Sequence, residues 1–98
     1  MSDTGIFPLH QAAGKGDIPA IRRLLAAGTD IESRTADGST PLHYAIWSRH
    51  SPTIQVFLDA GANANMRDSE GRRPVDIADA EGLTKDEQYH RLVELSRH

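Results

Sequence analysis

The chain has 98 residues, 11 basic and 14 acidic side chains, a formal charge of −3 and no cysteine. That length suits one small domain, able to bury roughly 60–65% of the surface its unfolded form exposes. The missing cysteines exclude a disulfide framework, a thiolate nucleophile and a Cys-based zinc site. The acidic balance argues against a phosphate-backbone partner, and no apolar run approaches the ~18 residues needed to span a bilayer. The expectation is a cytoplasmic protein with neither nucleic acid nor membrane as partner.

A period of 33 residues organises the chain. Pro8, Pro41 and Pro74 each stand three residues after a glycine, at Gly5, Gly38 and Gly71. Around them, FPLHQAA (7–13), TPLHYAI (40–46) and RPVDIAD (73–79) keep an alanine at Ala12, Ala45 and Ala78. LLAAGTDIE (24–32) and FLDAGANAN (57–65) repeat at the same spacing. Each unit therefore reads as two short helices and a turn.

In the first unit a helix opens at Pro8, with Phe7 where the middle unit has a capping threonine. A second helix starts near Asp17, Ile18 and Pro19 and carries an apolar stripe at Ile21, Leu24 and Leu25. In the middle unit Thr40 is the expected N-cap and Pro41 suits the first helical position. That helix runs to Ile46–Ser48 and ends on Arg49, where the flanking units have Gly16 and Gly82. A left-handed Arg49 costs roughly 1 kcal/mol, so either the turn is rebuilt or an interaction keeps the arginine. The next helix starts at Ser51-Pro52 with Ile54, Phe57 and Leu58. The third unit has Arg73 and Asp76 in place of threonine and histidine, and its last helix matches only with a two-residue insertion, through Tyr89, Leu92 and Val93. Thr84 with Glu87 suggests a capping box there.

No single pair of such helices can bury its stripe, whereas a stack of pairs can. The Gly-x-Thr-Pro-Leu-His opening, the later alanine and the Gly-Ala-x-x-Asn close of the middle unit, 37–69, resemble the ankyrin repeat. The resemblance implies an all-α fold, an ankyrin-repeat solenoid of helix-turn-helix units joined by β-hairpin-like loops. One domain is expected over 1–98, with repeats at about 4–36, 37–69 and 70–98. Arg23, where the middle unit has Val56, and the single apolar stripe of the last helix read as the polar outer faces of a complete three-repeat stack.

The five histidines raise a metal hypothesis. The resemblance implies that His10 and His43 are structural, bonding locally and to the neighbouring repeat's loop, and that His50 is structural too. His90 and His98 lack companions for a tetrahedral set, so no metal and no cofactor are expected. The acid pairs Asp76/Asp79 and Asp86/Glu87 have no nucleophile or phosphate loop beside them, and GKGD at 14–17 reads as a helix terminus. The chain is therefore not expected to be an enzyme. What the resemblance implies instead is a groove of inner helices and hairpin tips. Its partner-binding positions fall on Arg34, Asp37 and Ser39 of the first hairpin, Tyr44, Trp47 and Ser48 of the middle inner helix, and Arg67, Glu70 and Arg72 of the second hairpin. Trp, Tyr and Arg dominate interface hot spots, and Trp47 is the sole tryptophan, although Tyr44 could equally fill the gap between helices. The function expected is a protein–protein interaction module, an inhibitor or adaptor acting as a monomer on a partner protein with both signs of charge. The alternative is a self-associating protein, a homodimer closed through a patch at Phe7 and Trp47.

Overall fold

The structure, a computed structural model, describes residues 8–85 and 87–96, with Glu87 by its backbone alone. Six helices form three pairs: α1 (Pro8–Lys15) with α2 (Ile18–Ala26), α3 (Pro41–Ser48) with α4 (Ser51–Asp59), and α5 (Pro74–Ala80) with α6 (Glu87–Ser96). The inner helices pack in series, α1 on α3 and α3 on α5, while α4 meets α6 on the outer side. No strand is present among the described residues. The loops between pairs are turned tightly without a ladder: Thr35 N–H donates to Ser39 O at 3.0 Å, and Asp68 N–H to Arg72 O at 3.0 Å. The expected hairpin-like connections are thus single closed turns.

Local chemistry accounts for the helix boundaries. Thr40 Oγ1 caps the His43 N–H at the start of α3, and Asp17 accepts from Ala20 N–H at 3.2 Å at the start of α2. Proline follows closely in both, where a missing N–H is no loss. α3 ends on Arg49 at φ 59°, the one non-glycine left-handed residue among those described. The turn is not rebuilt. Arg49 Nη1 instead donates to Glu81 O at 2.8 Å and lies 3.3 Å from Glu81 Oε1, tying the second inner turn to the third.

The third pair differs in its connection. α2 and α4 start ten residues after their partners, from Pro8 to Ile18 and Pro41 to Ser51, whereas at Lys85, eleven residues after Pro74, the chain is still in the turn ahead of α6. The extra residues therefore lie in the turn rather than in the helix. Leu92 is the buried anchor of α6, with Tyr89 and Val93 half-buried beside it, as the stripe predicted. The Glu87 side chain, on which the capping box expected with Thr84 depends, and Phe7 lie outside the described residues.

Ala13, Ala45 and Ala78 are wholly buried, and small side chains there let consecutive inner helices approach. Ile21, Ile54 and Phe57 fill the space between the two helical layers. The loops also stack: Ser69 N–H donates to Asp37 O at 2.9 Å. That contact explains Gly38, where an added Cβ would lie 2.9 Å from Ser69 N on a backbone at φ 78°.

Gly38→Ala should destabilise the protein by the left-handed penalty of about 1–2 kcal/mol plus roughly 1 kcal/mol for the displaced Asp37–Ser69 bond. Gly71→Ala, with the same φ of 78° but open space around it, should cost the first contribution alone. Urea midpoints of the two variants measure the difference.

Candidate functional site

A buried imidazole bond links each of the first two inner helices to the loop ahead of the next. His10 Nε2 lies 2.8 Å from Ser39 O, and His43 Nε2 lies 2.9 Å from Arg72 O. A carbonyl only accepts, so both Nε2 atoms carry the proton. On the other side of its ring, His43 Nδ1 receives Thr40 N–H at 3.1 Å and the Thr40 hydroxyl at 2.8 Å. One side chain thereby closes its own helix start and grips the following loop. Burial lowers the pKa of both histidines; Arg34 and Arg72 lower that of His43 further, against the opposing effect of the Arg72 carbonyl and Asp68.

In the third unit a carboxylate replaces the imidazole. Asp76 accepts Arg73 N–H at 2.9 Å, and the Arg73 side chain beside it holds its carboxyl below the usual range. The local cap survives, but a carboxylate has no proton for a further carbonyl. Arg73 Nη1 turns instead to Ser96 O, at 3.3 Å. Asp79 accepts from the Tyr89 hydroxyl, so Asp76 and Asp79 have separate structural partners.

The second loop is built on Asp68, a buried carboxylate that no pattern in the sequence marks out. Burial pushes it up. The backbone N–H groups of Arg72 and Glu70 and the Arg72 guanidinium outweigh this and hold it below its ordinary value. Arg72 is thereby fixed, with Nη2 2.9 Å from Asp68 and 3.7 Å from Glu70, and its guanidinium stands 5.6 Å from the Trp47 ring centroid. Trp47 meets the edge of Tyr44 at 5.5 Å, and Tyr44 meets His10 edge-on at 5.0 Å. Tyr44 thus fills the gap between α1 and α3. The chain His10, Tyr44, Trp47, Arg72, Asp68 crosses from the first inner helix to the second loop, leaving Tyr44 and Trp47 half-buried.

The remaining residues predicted for the groove divide into two kinds. Ser39 is fully buried and its carbonyl is taken by His10, which removes it from any contact surface. Ser48 is half-buried and folds its hydroxyl back onto Ala45 O at 2.7 Å. Arg34 and Arg67 are exposed yet employed: Arg34 Nε donates to Gly38 O at 3.1 Å and its Nη2 to Arg67 O, while Arg67 Nη1 donates to Gly71 O at 2.9 Å. Their recurrence at the repeat period is the signal of a scaffold role. Asp37 is exposed, its carboxyl held low by the Thr35 hydroxyl, and Glu70 is exposed too, over 72% of its side chain. No group of three or more metal-ligating side chains is gathered among the described residues. No helix among them is long and apolar enough to cross a membrane.

A family model for ankyrin repeats, in three copies, matches residues 1–80. The chain belongs to the ankyrin-repeat family. No curated protein matches it. Ankyrin repeats generally serve as protein-binding modules and are typically non-catalytic. The imidazole-to-loop bonds seen here are the ties expected of His10 and His43. α6 lies beyond the matched residues.

The ankyrin ties carry a pH dependence whose sign is fixed. Above about 6.5 the two histidines are neutral in both the folded and unfolded chains, and their contribution is complete. As pH falls below that value the unfolded chain takes up protons that the fold resists, and stability declines by up to about 1.4 kcal/mol per pH unit for each histidine. Asp68 and Asp76 add their own losses only below the ordinary carboxylate value of 3.8. A His10→Gln, His43→Gln protein should show a flatter dependence between pH 7 and 5. Urea unfolding at three pH values in that window measures it.

Proposed function

We propose that this ankyrin-repeat protein binds a partner protein through the face shared by α3 and the tips of the two loops, with Trp47 at its centre, acting as an inhibitor or an adaptor. The observation carrying this reading is the Tyr44, Trp47 and Arg72 cluster, in which a half-buried tryptophan is braced by an arginine that Asp68 holds in place. An aromatic anchor fixed before binding loses little conformational freedom on contact. Asp37 and Glu70 supply the exposed acidic rim, and Arg72 the cation.

Arg34, Arg67 and Ser48 contribute by shaping the face rather than by direct contact, since their polar groups serve internal bonds. A surface of this size would bury about 600–800 Å² on each side, within the standard range for specific complexes. To bind in this way the protein must present the face as a monomer. Closure of a homodimer over Trp47 is the competing arrangement. Its other expected residue, Phe7, lies outside the described residues.

Capture from a lysate of the source cells with three proteins tests the assignment: the wild type, Trp47→Ala with Glu70→Arg, and Arg22→Glu on the outer helix α2. Loss of a hot-spot tryptophan costs about 2 kcal/mol or more, roughly a thirtyfold loss of affinity. A single protein should be retained by the wild type and by Arg22→Glu and lost from the double variant, with circular dichroism showing that all three fold. Retention by the folded double variant, or a stable dimer in light scattering that shields Trp47 from a fluorescence quencher, would overturn the assignment.

A further inference from the structure

One ion pair inside the stack has its counterpart divided between the two ends. Between α4 and α6, Arg91 Nη1 lies 2.8 Å from the Asp59 carboxylate, and both side chains are open to water. α6 aligns with α2 and α4 through Leu24, Phe57 and Leu92, and the grooves between the outer helices bear out that register: Val56 and Asp59 line the groove between α2 and α4, and Arg91 and Glu94 the groove between α4 and α6. Asp59 therefore corresponds to Ala26 in the first unit and to Glu94 in the third. Arg91 corresponds to Val56 in the second unit and to Arg23 in the first. At the first junction these two positions hold Ala26 and Val56, which carry no charge. At the two ends they hold Glu94 and Arg23, and both are exposed.

The end at α1 and α2 has the form of an internal junction with one side removed. Pro8 is exposed, whereas its counterparts Pro41 and Pro74 are buried, and Leu24 is half-buried, whereas Phe57 and Leu92 are buried. Pro8, Ala20 and Leu24 line an open groove of about 670 Å³ there, with Lys15 and Arg23 in its walls; Asp17, the acid among them, accepts from Ala20 N–H. The end at α5 and α6 presents the exposed acids Asp79 and Glu94 beside half-buried Val93, the counterpart of the Leu25 that lines the groove with α4. Lys15 and Arg23 on one end and Asp79 and Glu94 on the other favour contact between unlike ends of two chains and oppose contact between like ends.

We propose that copies of this chain stack head to tail, the α6 end of one on the α2 end of the next, with Glu94 of one chain paired to Arg23 of the other as Asp59 is paired to Arg91. The contact continues the internal geometry across a chain break, and covers Pro8 and Leu24 as Pro41 and Phe57 are covered inside the stack. It is weaker than an internal junction for two reasons. Asp76 replaces the histidine that would grip a following loop, and Asp79, which accepts from the Tyr89 hydroxyl, stands where Ala13 and Ile46 are wholly buried. A contact between unlike faces that advances along the stack at each step does not close with two copies, so further chains can add to either end. Trp47 lies in the middle unit, away from both ends. Chains apart and chains joined therefore present the same proposed binding face.

Sedimentation velocity of the full chain from about 10 μM to 1 mM, in 20 and 500 mM NaCl, tests it. The weight-average mass should rise with concentration at low salt without levelling at two copies, and should fall back at high salt. Arg23→Glu and Glu94→Arg, each shown to fold by circular dichroism, should each associate about three- to tenfold more weakly than the wild type, because each alone sets like charges against one another. Mixing the two variants should restore association, since every end then meets the opposite charge. A single-chain mass throughout, association that stops at two copies, or variants that associate as the wild type does would overturn the proposal, and so would a mixture no more associated than its components.

Discussion

Everything in this stack depends on a buried imidazole that must satisfy two sets of partners at once. His43 can accept from Thr40 and donate to Arg72 O only if the helix begins at Pro41 and the next loop lies directly against it. Each condition is local, yet together they set the distance between consecutive units. His10 repeats the bond to the following loop one period earlier. Because unpaired buried polar groups are costly, the register of one pair on the next is specified by these bonds, while the apolar core alone would tolerate sliding. Burial of Leu42, Ile46 and Phe57 supplies the driving force, and the imidazole bonds choose the geometry in which it is released.

The same constraint decides which side chains remain for binding. Arg34 and Arg67 stand on exposed loop tips but are committed to loop carbonyls, and Ser39 is drawn inside because its carbonyl must meet His10. What the scaffold leaves over is the half-buried aromatic pair on α3, the guanidinium that Asp68 fixes beside it, and the acids at the loop tips. The central residues of the proposed face rest on the bonds that hold the repeats together.

The architecture was legible because proline, glycine and histidine recur at one spacing, and each has a separate physical reason to stand where it does. The helix pairs, the Thr40 cap and the stripe of α6 followed from those marks. The placement of the extra residues of the third unit did not, since insertion in a helix and insertion in a turn look alike in sequence; the start of α6 decides it. Arg49 left two alternatives open, and a carbonyl and carboxylate of Glu81 resolve them. Groove residues were less readable. Position in the repeat indicates which side a residue faces, but not whether its polar atoms are already in use, and that is settled by loop partners such as Gly38, Gly71 and Asp68. The role of Asp68 was hidden because an aspartate in a turn is ordinary, while its burial depends on Arg72 closing over it.

Nitrogen-detected NMR of the histidine side chains is the most direct check on the claim that buried imidazole bonds set the stack. His43 should show a protonated Nε2 and a bare Nδ1, and should remain neutral at a pH below its ordinary value of 6.5 for as long as the chain stays folded. A proton on Nδ1, or titration near 6.5 in the intact fold, would mean that the ring does not bridge Thr40 and Arg72, and that another interaction holds the repeats in register.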